Sequence, residues 1–167
     1  GFGVGLRVPH YREIIEEHPA VDWFEVISEN HMVDGGRPLE VLNQVSAGYP
    51  VVFHGVSLAV GDAGPVNRSY VRKLGALADQ IGPHWISDHL CWGSHRGNYS
   101  HDLLPIPYTR ESLKLIVDKV REIQDILGRR FFLENPSSYL TYSDSHYTEW
   151  DFIAELAERA DCGLLLD

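Results

Sequence analysis

The sequence predicts an α/β fold with a parallel sheet, read as most of a (β/α)8 TIM barrel. Three observations carry that reading. Six short strand-like runs alternate with five stretches of helical spacing, the pattern of parallel strands joined by right-handed crossovers. Two long loops, Cys91–Tyr108 and Asn135–Tyr147, each follow a strand, on the side where a barrel keeps its active site. The residues that end the strands are rich in His, Asp and Glu. A doubly wound open sheet shares the first feature, and the other two favour the barrel. A complete barrel needs eight strands and about 250 residues. We therefore expect 1–167 to be a single domain holding about six of the eight β/α units, with the last two units missing.

Gly1–Arg7 (GFGVGLR) is short, apolar and followed by Pro9, and reads as the first strand. Pro9–His18 reads as a helix with proline in its first turn. Trp23–Glu29 is the second strand, Pro38–Ala47 a helix, and Pro50–His54 a third strand rich in β-branched residues. Asn67–Ile81 carries Val71, Leu74, Ala78 and Ile81 at helical spacing, with Asn67 as cap and Gly82 as stop. Trp85–Leu90 is the fourth strand. Arg110–Leu127 is the clearest helix, striped by Leu113, Ile116, Val117, Val120, Ile123 and Leu127 and bracketed by Thr109 and Gly128. Arg130–Glu134 is the fifth strand. Trp150–Ala160 is helical, with Thr148 and Asp151 spaced as a capping box, and Gly163–Asp167 is the sixth strand.

Composition narrows the function. The formal charge of −10, with basic residues scattered, is a poor match to a phosphate backbone, so no nucleic acid is expected. No apolar run approaches membrane-spanning length and no basic-then-apolar signal opens the chain, so no membrane is expected either. Cys91 and Cys162 lie far apart without a Cys-x-x-Cys and fit a reducing, cytoplasmic setting. The chain opens at Gly1 and its one methionine is Met32, which we read as a piece of a longer protein. The glycines of GFGVGLR lack the third glycine of a dinucleotide fingerprint and a helix directly after them. Neither Gly-x-Ser-x-Gly nor His-Glu-x-x-His occurs.

The strand ends carry the chemistry. They read Ser28-Glu29-Asn30, Phe53-His54-Gly55, Ser87-Asp88-His89, Leu133-Glu134-Asn135 and Leu166-Asp167. His, Asp and Glu make up about one residue in five, so chance would place one at about two of six strand ends, yet five carry one. In a barrel these ends ring one mouth, and imidazoles with carboxylates from several strands suit iron, manganese or zinc. A plainer reading stands beside each. His54 fits a satisfied core histidine, and Asp88-His89 a strand-end turn. Glu134 follows three apolar residues, where an unpartnered carboxylate is costly and a metal or strong partner is expected. His10, His18, His84, His95 and His146 have no partner at ligand spacing and read as solvated or structural. Cys91 reads as a small buried residue.

Six stretches, in order, resemble one family: SENH at 28–31, FHGVSLAVG at 53–61, SDHLCWG at 87–93, HDLLPIPYT at 101–109, LENPSSYL at 133–140 and CGLLLD at 162–167. They are similar to the multinuclear non-heme iron-dependent oxidative enzymes. These include the methanobactin-biosynthesis oxidase, and their members were long grouped as proteins of unknown function. The resemblance implies a barrel of the xylose-isomerase-like type. It also implies oxidation, with molecular oxygen, of cysteine residues in ribosomally made precursor peptides, more than one non-heme iron, and in many members a separate peptide-delivering partner protein.

By the same resemblance His54 and His89 match iron ligands, with Asp88 a second ligand or an orienting group. Glu134 matches the carboxylate that bridges metals, and Asp167 a ligand of the next iron. Asn135, Glu29 and Asn30 stand beside these as further candidates. His101 and Asp102 in one long loop, with Ser137 and Tyr139 in the other, are candidates to grip the peptide. The family pattern continues past this aspartate with an asparagine pair and further histidine and acidic ligands, so this chain supplies ligands for about one metal site. His31 stands where the family has an aromatic residue. Two other function classes stay open on the residues: an isomerase or endonuclease-like barrel using zinc, manganese or magnesium, and a non-catalytic binding scaffold.

Overall fold

A parallel sheet whose strand order follows the chain organises the protein. The structure, a computed structural model, describes residues 1–95 and 98–167, and the side chains of His95 and Tyr99 lie outside the described residues. The solvated or structural role expected for His95, and the part of the expected loop at 96–97, therefore fall outside them too. The sheet runs β1 (Gly3–Gly5), β2 (Trp23–Ile27), β3 (Val51–His54), β4 (Ile86–His89), β7 (Phe132–Glu134) and β8 (Gly163–Leu165). Every pairing in it is parallel. Five helices cross between these strands: α1 (Tyr11–Glu17), α2 (Arg37–Gly48), α3 (Arg68–Ile81), α4 (Arg110–Leu127) and α5 (Glu149–Ala160). The result is the six-stranded arc of a partial barrel, with β1 and β8 at its edges.

The elements form where local chemistry supports them. All four residues of β3 and of β4 are buried, as central strands of a parallel sheet covered on both faces should be. The stripe on α4 is buried from Leu113 to Leu127. Thr109 caps this helix by accepting from Ser112 N, and the Ser112 hydroxyl accepts from Thr109 N in return, so serine serves where Glu or Gln usually closes a capping box. Asn67 caps α3 through Tyr70 N, and Gly82 ends it at φ 71°. Thr148 caps α5 through Asp151 N, but its hydroxyl also donates to the Asp151 carboxylate, so only half of the expected box forms.

Several expected boundaries shrink. The first strand pairs only over Gly3–Gly5, with β2 as its single neighbour, and Phe2 is 89 % exposed. The first helix begins as a 3-10 turn at Val8–His10 before Tyr11. The second strand ends at Ile27, and Ser28–Asn30 turn into 3-10 geometry. The sixth strand ends at Leu165. The expected loop Cys91–Tyr108 contains an antiparallel hairpin, β5 (Trp92–His95) with β6 (Asn98–Leu104). Its sequence is rich in polar residues and lacks a clear two-residue apolar period. It is held instead by Asp62, whose Oδ1 accepts from Gly93 N and Ser94 N while Ser94 Oγ donates to Oδ2.

Candidate metal centre

Register assembles the site. In the β3–β4 pair His54 faces Ser87, and in the β4–β7 pair His89 faces Glu134. Side chains two residues apart on a strand share a face, so His54, Ser87, His89 and Glu134 project together at the C-terminal ends of three adjacent strands. His54 Nε2 lies 3.1 Å from Glu134 Oε2. His89 Nε2 lies 3.4 Å from the same oxygen, and the two Nε2 atoms are 3.3 Å apart. The imidazole planes cross at 71°. Both histidines are buried, and the Glu134 side chain is nearly so.

The neighbours decide what these atoms present. Ser87 Oγ lies 3.2 Å from Phe53 O and 2.8 Å from His54 Nδ1, so with its proton given to Phe53 O it is free to accept from Nδ1. In that arrangement His54 would carry its proton on Nδ1 and turn the Nε2 lone pair toward the cluster, the tautomer that a metal ligand needs. Asp88 is buried; its Oδ1 accepts from His89 N and its Oδ2 from Leu58 N. Its Oδ1 is 3.8 Å from His89 Nδ1, too far for a hydrogen bond, and that ring nitrogen has no hydrogen-bond partner. Burial works to lower the His89 pKa, but the carboxylates of Asp88 and Glu134 outweigh it and the net shift is upward. Two imidazole nitrogens and a carboxylate oxygen crowded this closely call for a shared cation or proton.

The fit to a metal ion follows from the distances. The point equidistant from the three donor atoms lies about 1.9 Å from each, close to the roughly 2.0–2.2 Å of metal–nitrogen and metal–oxygen bonds. His54, His89 and Glu134 form the group of potential ligands among the described residues whose donor atoms all lie within 4.8 Å of one another. Two imidazoles and one carboxylate suit iron, manganese or zinc.

The other expected site residues stand around this trio. Asp167 is exposed, two residues past Leu165, the register partner of Glu134; its Oδ2 is 3.4 Å from Ser137 Oγ, and it is outside the group of three. Asn135 is buried, its Oδ1 accepting from Asp167 N and its Nδ2 donating to Glu149. Glu29 Oε1 accepts from Val56 N and from the Tyr70 hydroxyl, anchoring the loop that leaves His54, while its buried Oε2 has no partner. Asn30 is exposed. His101 and Asp102 lie on β6, and Tyr139 donates to Asp102 Oδ2 at 3.4 Å. His31 is buried and bonds Pro38 O through Nδ1.

Three supporting residues escaped the sequence reading. Ser87 sits in the SDH run but shows its role only once β3 and β4 are in register. Tyr70 lies on α3 between the carboxylates of Glu29 and Asp88, and burial with those charges pushes its pKa up. Lys119 is buried on α4, and its Nζ donates to Asp62 O. A lysine in the apolar stripe of a helix was the one available signal for it.

Comparison with known proteins agrees with the geometry. The family model of the RiPP precursor modification enzyme MbnB/TglH/ChrH matches residues 1–167, where RiPP denotes a ribosomally made, post-translationally modified peptide. The chain belongs to that family. A UPF0276 protein of Anaeromyxobacter sp. (strain Fw109-5) is 53 % identical over 167 residues, covering 100 % of this chain and 59 % of the relative. A UPF0276 protein of Caulobacter vibrioides (strain NA1000 / CB15N) is 52 % identical over 168 residues, covering 100 % and 60 %. The chain thus spans about three-fifths of the length of these curated relatives. Among solved structures, D-psicose 3-epimerase from Clostridium cellulolyticum H10 superposes with a TM-score of 0.61 at 13 % identity, covering 99 % of this chain and 63 % of that one. A sugar phosphate isomerase/epimerase from Parabacteroides distasonis gives 0.56 at 12 %, covering 100 % and 68 %. At such identities these two speak for the fold alone, the xylose-isomerase-like TIM barrel, of which this family member holds a partial copy. Among the described residues no helix is long and apolar enough to cross a membrane.

Proposed function

We propose that this protein modifies cysteine residues of a ribosomally made precursor peptide oxidatively, using molecular oxygen and more than one non-heme iron in the whole protein. One observation carries the reading: in a chain of the precursor-modifying family, His54 Nε2, His89 Nε2 and Glu134 Oε2 converge within 3.1–3.4 Å at the strand ends. In this reading residues 1–167 are one domain, a barrel of about six units, and Asp167 and Asp88 support further metal binding. The setting is cytoplasmic, and a peptide-delivering partner protein takes part.

The residues have distinct tasks. His54, His89 and Glu134 would hold iron, which when bound supplies the redox chemistry and an open position for a cysteine thiolate. Ser87 holds the His54 ring with its Nε2 lone pair inward. Asp88 steadies the His89 backbone and the loop at Leu58 together. Glu29 and Tyr70 fasten the start of that loop at Val56. His101, Asp102, Ser137 and Tyr139 contact the peptide. The test is metal analysis of the purified protein with oxygen uptake against a cysteine-containing precursor peptide. Iron and peptide-dependent oxygen consumption support the reading. Zinc or manganese with no oxygen uptake would replace it with a redox-neutral metal enzyme.

A further inference from the structure

The loop that leaves His54 is fastened on two sides. Toward the metal centre, Val56 N donates to Glu29 Oε1 and Leu58 N to Asp88 Oδ2, and Asp88 Oδ1 accepts from His89 N. Three residues after Leu58 the contacts change partner. Gly61 N donates at 2.8 Å to the carbonyl of Cys91, the residue before β5. Asp62 then takes hold of the hairpin itself. Its Oδ1 accepts from Gly93 N at 2.8 Å and from Ser94 N at 3.0 Å, and its Oδ2 accepts from the Ser94 hydroxyl. This loop therefore links the strand ends that carry His54 and His89 to the hairpin that carries His101 and Asp102.

The link is short and stiff. Asp62 N donates to Ala59 O at 3.0 Å, closing a turn that holds Ala59 at φ 45°. A non-glycine residue persists in that region where its surroundings impose it. Val60 within the turn is buried. At Gly61 an added Cβ would stand 2.5 Å from Ile106 Cγ2 and 2.8 Å from Cys91 O, so the loop lies against the foot of the hairpin at a distance that only glycine allows. On α4, buried Lys119 donates through Nζ to Asp62 O. The carboxylates of Asp62 and Glu122 both act on that ammonium, so the charge of the clasp is balanced within the protein.

The grip falls where the hairpin needs it. The β5–β6 register shifts between Trp92 and Ser94, and Asp62 takes the amides of Gly93 and Ser94 at that irregularity. Bulges of this kind bend a strand and re-aim its side chains, and they recur beside active sites. We propose that Asp62 is a positioning residue: it fixes the hairpin, and with it His101 and Asp102, at a set place relative to His54 and His89. The proposal rests on the peptide-modifying reading above, in which those two hairpin residues contact the peptide. A peptide held by the hairpin meets the metal centre in one register only while the hairpin keeps that place.

The test puts nitroxide labels at Ala76→Cys on α3 and Asn98→Cys on β6, both exposed positions, and measures the distance distribution between them by pulsed electron paramagnetic resonance. The native cysteines are buried and stay unlabelled. Asp62→Ala frees the hairpin from the loop and should broaden the distribution about twofold or more. Asp62→Asn keeps an oxygen for the two amides and should stay near wild type. Ser94→Ala removes one of the three bonds and should broaden it by a smaller step, which keeps the test decisive if Asp62→Ala fails to fold. Leu74→Ala, in the core face of α3, should lower the melting temperature and leave the width unchanged. A second measurement loads Cu2+ and reads the distance from the ion to the Asn98 label, with His89→Ala removing the signal. Asp62→Ala should broaden this distance too, with its Cu2+ affinity within about twofold of wild type, because no ligand is touched. An unchanged width in Asp62→Ala, or equal broadening in Leu74→Ala, overturns the proposal. A wild-type protein that takes up no Cu2+ at His89 but keeps an Asp62-dependent width would sink the metal-centre reading and leave the positioning role standing.

Discussion

Removing one hydroxyl should weaken the metal centre without touching a ligand. Ser87 is 1 % exposed, with its hydroxyl 2.8 Å from His54 Nδ1 and 3.2 Å from Phe53 O. With His54 in the metal-binding tautomer, Ser87→Ala leaves the Nδ1 proton buried with no acceptor, a cost of about 1–3 kcal/mol. His54 can escape that cost by moving its proton to Nε2, which withdraws the lone pair from the centre. Loss of such an orienting partner lowers metal affinity by roughly 10–100-fold, or about 1.4–2.7 kcal/mol, in the same range as the hydrogen-bond estimate. The metal-free variant should also melt roughly 3–6 °C lower, for a loss of about 1.5 kcal/mol in a domain of this size. Competition against a chromophoric chelator gives the affinity, and scanning calorimetry the melting temperature. An affinity within about twofold of wild type, with an unshifted melting temperature, would refute the assignment of Ser87 and of the His54 tautomer.

Three other outcomes are expected. If Glu134 bridges two ions while His89 serves one, Glu134→Ala should strip more metal per chain after dialysis than His89→Ala; equal losses count against bridging. Gly55→Ala would put a Cβ 2.5 Å from Asp88 Oδ2 and 3.1 Å from the Tyr70 hydroxyl, displacing Asp88 from Leu58 N and costing about 1–3 kcal/mol in urea unfolding, while Gly64→Ala, with open space around it, serves as a near-neutral control. Burial pushes the Cys91 thiol up to about 12 and the Cys162 thiol up to about 11. At pH 8 their thiolate populations are then roughly a thousandfold and a hundredfold below that of an exposed thiol. Both should resist a disulfide reagent until the protein unfolds, and rapid labelling of the native protein would contradict this.

The alternation of elements was legible along the chain because helix and parallel strand each leave a local mark. The stripe on α4 and its caps at Thr109 and Gly128 were read in full, since helical periodicity and capping are interactions within a few residues. The ligand-type ends of β3, β4 and β7 were visible for the same reason. What one-dimensional reading could not supply was register. Only the pairing of His54 with Ser87 and of His89 with Glu134 shows that three residues spread over 80 positions meet at one point, and that Ser87 reaches His54 Nδ1. The hairpin after β4 escaped because its strands carry no clear apolar period and are held by the distant carboxylate of Asp62. Asp167, Glu29 and Asn30 looked alike as strand-end groups, yet tertiary contacts sent one to Ser137, one to Val56 and Tyr70, and one to the surface. The sequence by itself determined which faces are apolar and where donors cluster. The tertiary structure decided which of those donors share a point in space, because that depends on long-range strand pairing, which leaves no local trace.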